Sequence, residues 1–253
     1  MNSIEGLYIL DRRNFSNKLS RNIEGYPSGI VLVLDKPLKW TSADAVRRLK
    51  FRLQKFFNQK NIKVGHAGTL DPLATGILLI CIGKATKSAE KLQSENKEYI
   101  ADIRFGATTP SYDLEKEIDA TYPYDHLNRE LIESLLDNLK GEIDQIPPIF
   151  SAKLIDGKRA YDIAREGKEA EMKPSRITIH DLQIISFNNP DLKIAISCSK
   201  GTYVRSFARD IGVAAGSGAH LAGLVRAASG PFTIENALSM EEAESIFEIG
   251  SFS

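Results

Sequence analysis

Hydrophobic and polar residues follow two patterns along this chain, one typical of buried strands and one typical of amphipathic helices. A short aliphatic run, Gly29–Asp35, is bounded by turn residues and predicts a buried strand. The apolar positions after it recur at a helical period from Val46 to Phe57. Thr41 or Ser42 can cap this helix through its side-chain oxygen. The patterned part of the chain therefore opens with a strand and a helix.

The rest of the chain mixes strands and helices without the regular rhythm of a parallel sheet. Further strands are predicted at residues 77–82, 98–105, 176–187 and 193–199, helices at 128–139, 159–167 and 202–213, and loops at 64–76 and 144–157. This irregular order favours an α+β fold, with a mixed, largely antiparallel sheet flanked by helices.

Composition is typical of a globular protein of the cytoplasm. The 253 residues are 42% hydrophobic and 26% charged, which excludes a fully disordered or fibrous chain. The longest apolar run, residues 77–82, is far shorter than the roughly 20 residues that cross a membrane. The N-terminus shows no secretory signal, and two cysteines cannot build a disulfide framework. We expect a cytoplasmic protein without membrane association.

The charges balance over the whole chain but are unevenly distributed. Lys and Arg number 33, as do Asp and Glu. Residues 36–63 carry a net charge of +8 and residues 111–144 carry −7, while the last twenty-one residues hold five Glu and no Lys or Arg. A basic helix face is often only a solvated surface. Its concentration in one segment favours a polyanionic partner.

A glycine-rich loop holds the first candidate for chemistry. It runs from Lys63 to Gly76 as Lys-Val-Gly-His-Ala-Gly-Thr-Leu-Asp-Pro-Leu-Ala-Thr-Gly. Asp71 precedes Pro72, which pushes its backbone toward an extended conformation, and the glycines let a ligand approach closely. Two interpretations remain open: an aspartate that only hydrogen-bonds its own turn, or a functional carboxylate near His66.

A second candidate lies within Cys198–Gly212, where a predicted strand ends and a helix begins. Arg205 falls in the first turn of that helix, where the helix dipole disfavours a cation. Such an arginine is either solvated or paired with an anionic side chain or a phosphate. The four histidines are scattered and no Cys-x-x-Cys occurs, so no metal site is expected. Gly-Lys-Ala-Thr at 83–86 lacks the spacing of a nucleotide phosphate loop.

Five blocks of sequence, in the same order, resemble the bacterial tRNA pseudouridine-55 synthases of the TruB family. The blocks are residues 29–42, 63–87, 97–113, 145–165 and 198–232. The resemblance implies the pseudouridine synthase fold, with an N-terminal extension at 1–28 and a catalytic domain at 29–253. It also implies an RNA-binding insertion at about 144–176. The family commonly carries a small C-terminal RNA-binding (PUA) domain, and we expect this chain to lack one.

The resemblance implies a role for each candidate residue, position by position. Asp71 matches the catalytic aspartate, and Arg205 matches the arginine that pairs with it. Tyr99 matches the tyrosine that stacks on the target base, and Tyr203 matches a second tyrosine near the substrate. His66 matches the histidine that contacts the flipped-out RNA bases.

Two further segments bear on the resemblance. Lys36 lies in the Asp-Lys-Pro block, near the substrate in the family. After the tyrosine strand, the family usually has Thr-Asp-Thr-x-Asp-x-x-Gly, whereas this chain has Thr-Pro-Ser-Tyr-Asp-Leu-Glu-Lys at 109–116. Whether that loop keeps its contacts is therefore open.

The implied reaction isomerises uridine to pseudouridine at position 55, in the T loop of tRNA. It needs one ionised carboxylate, acting as a nucleophile or as a base toward the sugar, and no cofactor. The target base must leave its stack. We expect tRNA as the partner, no obligate protein partner and a monomer. Two rivals remain: an RNA-binding protein without chemistry, and a synthase acting on ribosomal RNA or another stem-loop.

Overall fold

The computed structural model describes residues 5–151, 154–155, 158–159 and 172–248, with only the backbone described at 154–155 and 158–159. The helix predicted at 159–167 lies almost entirely outside the described residues. Much of the predicted RNA-binding insertion at 144–176 lies outside them as well.

The strands of the described chain range in length from 2 to 14 residues. In chain order the strands are β1 (Tyr8–Leu10), β2 (Ile30–Lys36), β3 (Val64–Ala67), β4 (Ala74–Ile82), β5 (Lys97–Phe105), β6 (Ala107–Thr108), β7 (Ala120–Thr121), β8 (Gly141–Gln145), β9 (Leu154–Ile155), β10 (Lys158–Arg159), β11 (Ser175–Asn188), β12 (Asp191–Cys198), β13 (Ala219–Ser229) and β14 (Phe232–Thr233).

The α-helices of the described residues are shorter than a membrane span requires. They are α1 (Ser42–Phe56), α2 (Ala89–Gln93), α3 (Arg129–Asn138), α4 (Val204–Ala214) and α5 (Met240–Ile246). Single-turn 3₁₀ segments occupy Ile23–Gly25 and Ile234–Asn236, and a longer one occupies Gly83–Ser88. In this part of the chain, no helix combines the length and apolar character needed to cross a bilayer.

The predicted fold class is confirmed. β1 pairs with β2 in parallel, whereas β2 with β4, β3 with β4, β11 with β12 and β8 with β11 are antiparallel. Each strand and helix predicted within the described residues is present, with its ends shifted by a few residues. The architecture is therefore α+β, with a mixed, largely antiparallel sheet.

Contacts divide the chain into two compact units. The first holds the chain up to Lys97 and again from Val225 onward, and the second holds Glu98–Leu224. The boundary at Leu224 falls within β13, so residues 219–224 of this strand belong to the second unit and residues 225–229 to the first. In the first unit the strand order is β1–β2–β4–β13, with β3 also paired to β4 and β14 to β13. In the second unit the order is β13–β5–β12–β11–β8.

The first unit is built around two fully buried strands. β2 and β4 pair from Ile30 opposite Ile82 to Lys36 opposite Gly76. Both strands are buried along nearly their whole length, which their unbroken aliphatic sequences explain. The lysine at the end of β2 is therefore placed in the interior, beside the start of β4.

The helix after β2 begins as predicted, and the structure distinguishes its two possible caps. Thr41 is the N-cap: its hydroxyl accepts from the backbone N–H of Asp44, and the Asp44 carboxylate accepts from the backbone N–H of Thr41. Ser42 is instead the first helical residue and is buried. Its hydroxyl is therefore available for a contact outside the helix.

The segment predicted as a loop at 64–76 contains a strand, which corrects that prediction. Residues 64–67 form β3 and pair with β4, with His66 opposite Ile80 and Ala67 opposite Leu79. The sequence here shows no alternation of apolar and polar residues, so only pairing with a neighbouring strand makes it regular. The remaining loop is short and contains Asp71.

Candidate active site

Asp71 lies on the loop between β3 and β4, and hydrogen bonds hold the backbone on both sides of it. Before it, the Ser42 hydroxyl accepts from Leu70 N (2.9 Å) and donates to Leu70 O (3.1 Å). After it, Lys39 N donates to Pro72 O (2.8 Å). The main chain that carries this carboxylate is therefore fixed by groups from the loop after β2 and from the start of α1.

A buried arginine holds the start of the same loop. Arg226, in β13, is only 2% exposed. Its Nη2 donates to Gly68 O (3.1 Å), its Nη1 to Thr69 O (3.3 Å) and its Nε to Ile77 O (2.7 Å). All three acceptors are neutral carbonyls, and within the described residues no carboxylate forms an ion pair with it. The positive charge of the guanidinium is therefore buried in the first unit, with main-chain carbonyls around it.

Lys36 turns its ammonium toward the main chain and away from solvent. Its Nζ donates to Pro37 O (2.9 Å) and Trp40 O (2.6 Å), and the residue is fully buried. Burial lowers the pKa of Lys36 to about 8, while the nearby Asp71 carboxylate acts in the opposite direction and Arg226 adds to the lowering. Lys36 therefore holds the loop after β2 and is coupled electrostatically to Asp71.

His66 lies on β3 with part of its ring buried. Its Nδ1 is buried and finds no hydrogen-bond partner in the described part of the chain. Burial lowers the pKa of His66, and the positive charge of Arg226 lowers it further. The lowered pKa favours the neutral imidazole at pH 7.

In the second unit, Arg205 lies in the first turn of α4, as predicted, and is not solvated. The residue is 4% exposed. Its Nη1 donates to Ser111 O (3.3 Å) and its Nη2 to Phe150 O (2.9 Å). Its Nε lies 3.7 Å from Asp113 Oδ2. The loop that departs from the family pattern therefore does contact this arginine.

The turn that carries Arg205 is joined to the chain after β8. Tyr203 N donates to Gln145 Oε1 (2.8 Å), and Gln145 Nε2 donates back to Tyr203 O (3.1 Å). The hydroxyl of Ser206 donates to Ile146 O (2.7 Å). Residues 145 and 146 lie at the beginning of the predicted RNA-binding insertion at 144–176, so these bonds connect the start of α4 to the start of that insertion.

The six predicted site residues fall into two groups. His66, Asp71 and Lys36 belong to the first unit, and Tyr99, Tyr203 and Arg205 belong to the second. Tyr99 lies in β5 and is 8% exposed. The pairing of Asp71 with Arg205 and the stacking role of Tyr99 stay predictions.

Sequence reasoning missed three residues that hold this site: Arg226, Ser42 and Asp113. Only Arg226 had a usable signal. It interrupts the otherwise apolar run Leu224–Ala228, and a cation inside a buried strand is rare unless it has specific acceptors. Ser42 appeared only as a possible cap, and Asp113 only as part of the divergent loop.

The acidic C-terminal segment packs against the basic helix, which the charge pattern alone did not predict. Glu244 in α5 pairs with Arg48 and with Arg52 of α1 (3.0 Å to the latter). Arg52 also lies 3.5 Å from Glu248. Part of the +8 charge of residues 36–63 is therefore balanced within the same unit. A phosphate would have to compete with Glu244 for Arg48.

Solved structures of complexes that contain Cbf5 include chains with the same fold. A chain of the archaeal box H/ACA sRNP Nop10–Cbf5 complex is 26% identical, with a TM-score of 0.61 over 87% of this chain. A chain of a Cbf5–Nop10–Gar1 complex is 27% identical, with a TM-score of 0.66. The present chain spans 54% of each of those chains. The predicted pseudouridine synthase fold is therefore confirmed.

Proteins with similar sequences identify the family to which this chain belongs. Residues 54–204 match the N-terminal domain of the TruB family pseudouridylate synthases. The tRNA pseudouridine synthase B of Phocaeicola vulgatus is 54% identical over 216 residues, which is 85% of this chain and 92% of that one. The enzymes of the same name from Bacteroides fragilis (84% of this chain, 91% of that one) and Francisella philomiragia (85% and 70%) are 53% and 46% identical. This chain belongs to the TruB family and is an isomerase, as predicted.

Proposed function

We propose that this enzyme converts uridine to pseudouridine at position 55, in the T loop of tRNA, with Asp71 as the catalytic carboxylate. One observation carries the proposal: Asp71 stands on a loop whose backbone is hydrogen-bonded on both sides. A reacting group held in this way needs little reorganisation during the reaction. The names of the relatives that are about 50% identical support tRNA as the substrate.

The reaction is balanced without an oxidant or a group donor. The N1–C1′ bond of the uridine breaks, the uracil turns, and a C5–C1′ bond forms. C5 loses its hydrogen as a proton, and N1 gains a proton. In its ionised form, the Asp71 carboxylate either attacks the nucleoside or removes a proton from the sugar.

Arg205 and the two tyrosines are proposed to serve the same substrate. We infer that Arg205 pairs with Asp71 and so favours its ionised form. The support is its burial and its oriented guanidinium, which two main-chain carbonyls hold. Tyr99 is proposed to stack on the target base, with Tyr203 beside it. Stacking of this kind is worth about 1–3 kcal/mol per base.

His66 and Lys36 complete the proposed site. The neutral ring of His66 is partly exposed, which suits contact with bases displaced from the loop. Lys36 is proposed to keep the chain after β2 in place beside the substrate. Phosphate contacts are proposed for residues 36–63 and 144–176, within a catalytic domain at 29–253 that acts as a monomer without a protein partner.

Replacing Asp71 by asparagine tests the proposal. Asp71→Asn should fold and bind tRNA but release no tritium from C5-labelled uridine. Asp102→Asn is the matched control, because Asp102 is half exposed and pairs with Lys193. This control should react like the wild type. Turnover near the wild-type rate in Asp71→Asn would remove the aspartate from the mechanism.

The substrate is tested separately, in cells that lack the gene. Pseudouridine mapping should show loss at position 55 of tRNA and at no ribosomal site. Restoration by the wild type and not by Asp71→Asn links the loss to this carboxylate. Loss confined to ribosomal RNA would instead assign the enzyme to a different RNA.

A further inference from the structure

We propose that Arg226 is a positioning residue that sets the conformation of the Asp71 loop and thereby the rate of the chemical step. The inference rests on the proposed role of Asp71. Nothing in the reaction requires Arg226 to touch RNA, and at 2% exposure it has no surface to offer a phosphate. Any effect of Arg226 on the reaction rate must therefore come from the main-chain carbonyls that it binds.

The hydrogen bonds of Arg226 join the two ends of the Asp71 loop. Its two Nη atoms bind the successive carbonyls of Gly68 and Thr69, just before Asp71. Its Nε binds the carbonyl of Ile77, in the strand that follows. A planar guanidinium presents these donors in a fixed geometry, which a lysine ammonium cannot reproduce. Arg226 therefore fixes the spacing and tilt of the peptides that flank the loop.

The loop backbone needs such support, because its conformation is one that few residues adopt. Gly68 has a φ of +95° and Gly76 a φ of +97°. A Cβ at Gly76 would lie 2.4 Å from the carbonyl oxygen of Arg226, so the β13 backbone packs directly against the loop's end. Glycines are free to take many other conformations. The bonds from Arg226 select one of them.

The buried charge of Arg226 depends on the groups that it binds. Burial of a charge is costly unless an opposite charge or hydrogen bonds compensate it. Within the described residues Arg226 has only neutral carbonyl acceptors, so its hydrogen bonds supply that compensation. An apolar side chain would leave these carbonyls without their donor. The hydrogen bonds require the geometry of the guanidinium, and the first acceptor, Gly68, lies three residues before Asp71.

Two substitutions test the proposal: Arg226→Lys, which keeps the charge and loses the fork, and Arg226→Met, which loses both. Single-turnover pseudouridine formation should fall by about 100-fold in each, the usual effect of a misplacement near 1 Å. The Kd for tRNA should stay within about threefold of wild type. Amide hydrogen exchange should become faster in the peptide containing residues 68–71, even in the absence of RNA.

Leu136→Ala in α3 is the control, since Leu136 is buried in the second unit and its truncation lowers stability without touching the loop. At a temperature where it is destabilised as much as Arg226→Lys, it should keep the wild-type single-turnover rate. Equal rate losses in Leu136→Ala and Arg226→Lys would show that Arg226 acts only by stabilising the fold. Wild-type exchange in the loop of both Arg226 variants would also overturn the proposal. The exchange measurement does not use the reaction, so it remains decisive even if Asp71→Asn is active.

Discussion

Arg205 and Arg226 are both buried and both donate to main-chain carbonyls, yet their charges are balanced differently. Arg205, in the second unit, has the carboxylate of Asp113 at 3.7 Å. Arg226, in the first unit, has carbonyl acceptors and, in the described chain, no ion pair. The field of a paired arginine is confined by its partner, whereas the field of an unpaired one reaches its neighbours. Accordingly, Arg226 lowers the pKa of Lys36 and of His66.

The difference indicates two uses of the same side chain. Arg205 joins the divergent loop, through Asp113 and Ser111, to the first turn of α4. Arg226 orients peptides and also lowers the pKa of Lys36 and of His66. Three measurements test this contrast.

The largest effect is expected on stability at Arg205. Arg205→Met leaves the Asp113 carboxylate buried without this arginine, which typically costs about 3–5 kcal/mol of unfolding free energy. Adding Asp113→Asn should recover part of that loss, with a coupling of roughly 0.5–3 kcal/mol. Urea denaturation at pH 7 measures both. Arg226→Met leaves no carboxylate without its partner in the described chain. Adding Asp113→Asn to Arg226→Met should therefore recover no unfolding free energy. Equal recovery in the two backgrounds would contradict the comparison.

A smaller effect is expected in the pH dependence of stability. The folded-state pKa of Lys36 is lowered from 10.5 to about 8. Between these values the unfolded chain binds the proton that the folded chain has released, so stability rises with pH. The slope from this one group is at most about 1.4 kcal/mol per pH unit. Lys36→Met should lack this rise in a comparison of denaturation curves, and parallel curves would refute it. Arg226→Met should move the start of the rise to higher pH.

The smallest effect is expected at His66. Burial is the larger cause of its lowered pKa and Arg226 the smaller, so Arg226→Met should raise the pKa of His66 only part of the way toward its ordinary value. NMR titration of the imidazole measures this change. Arg47→Met, which removes an exposed cation from α1, should leave the titration unchanged. An equal shift in both variants would show only a response to net charge.

Local chemistry explains why much of the fold and of the site could be predicted. The aliphatic run of β2, the threonine cap of α1 and the first-turn position of Arg205 are all readable within a few residues. The Asp71–Pro72 step and its glycines marked the loop in the same way. β3 was missed because its four residues become a strand only by pairing with β4.

Neighbouring residues along the chain specify the α+β class, the main elements and the segment that carries Asp71. The contacts that hold this segment in place arise only in the folded protein. Arg226 lies 158 positions from Gly68, Ser42 lies 28 from Leu70, and Arg205 lies 94 from Ser111. Contacts at such separations form because the whole core closes around them and unpaired buried groups are costly. No local pattern of apolar and polar residues encodes which carbonyl a buried arginine will meet.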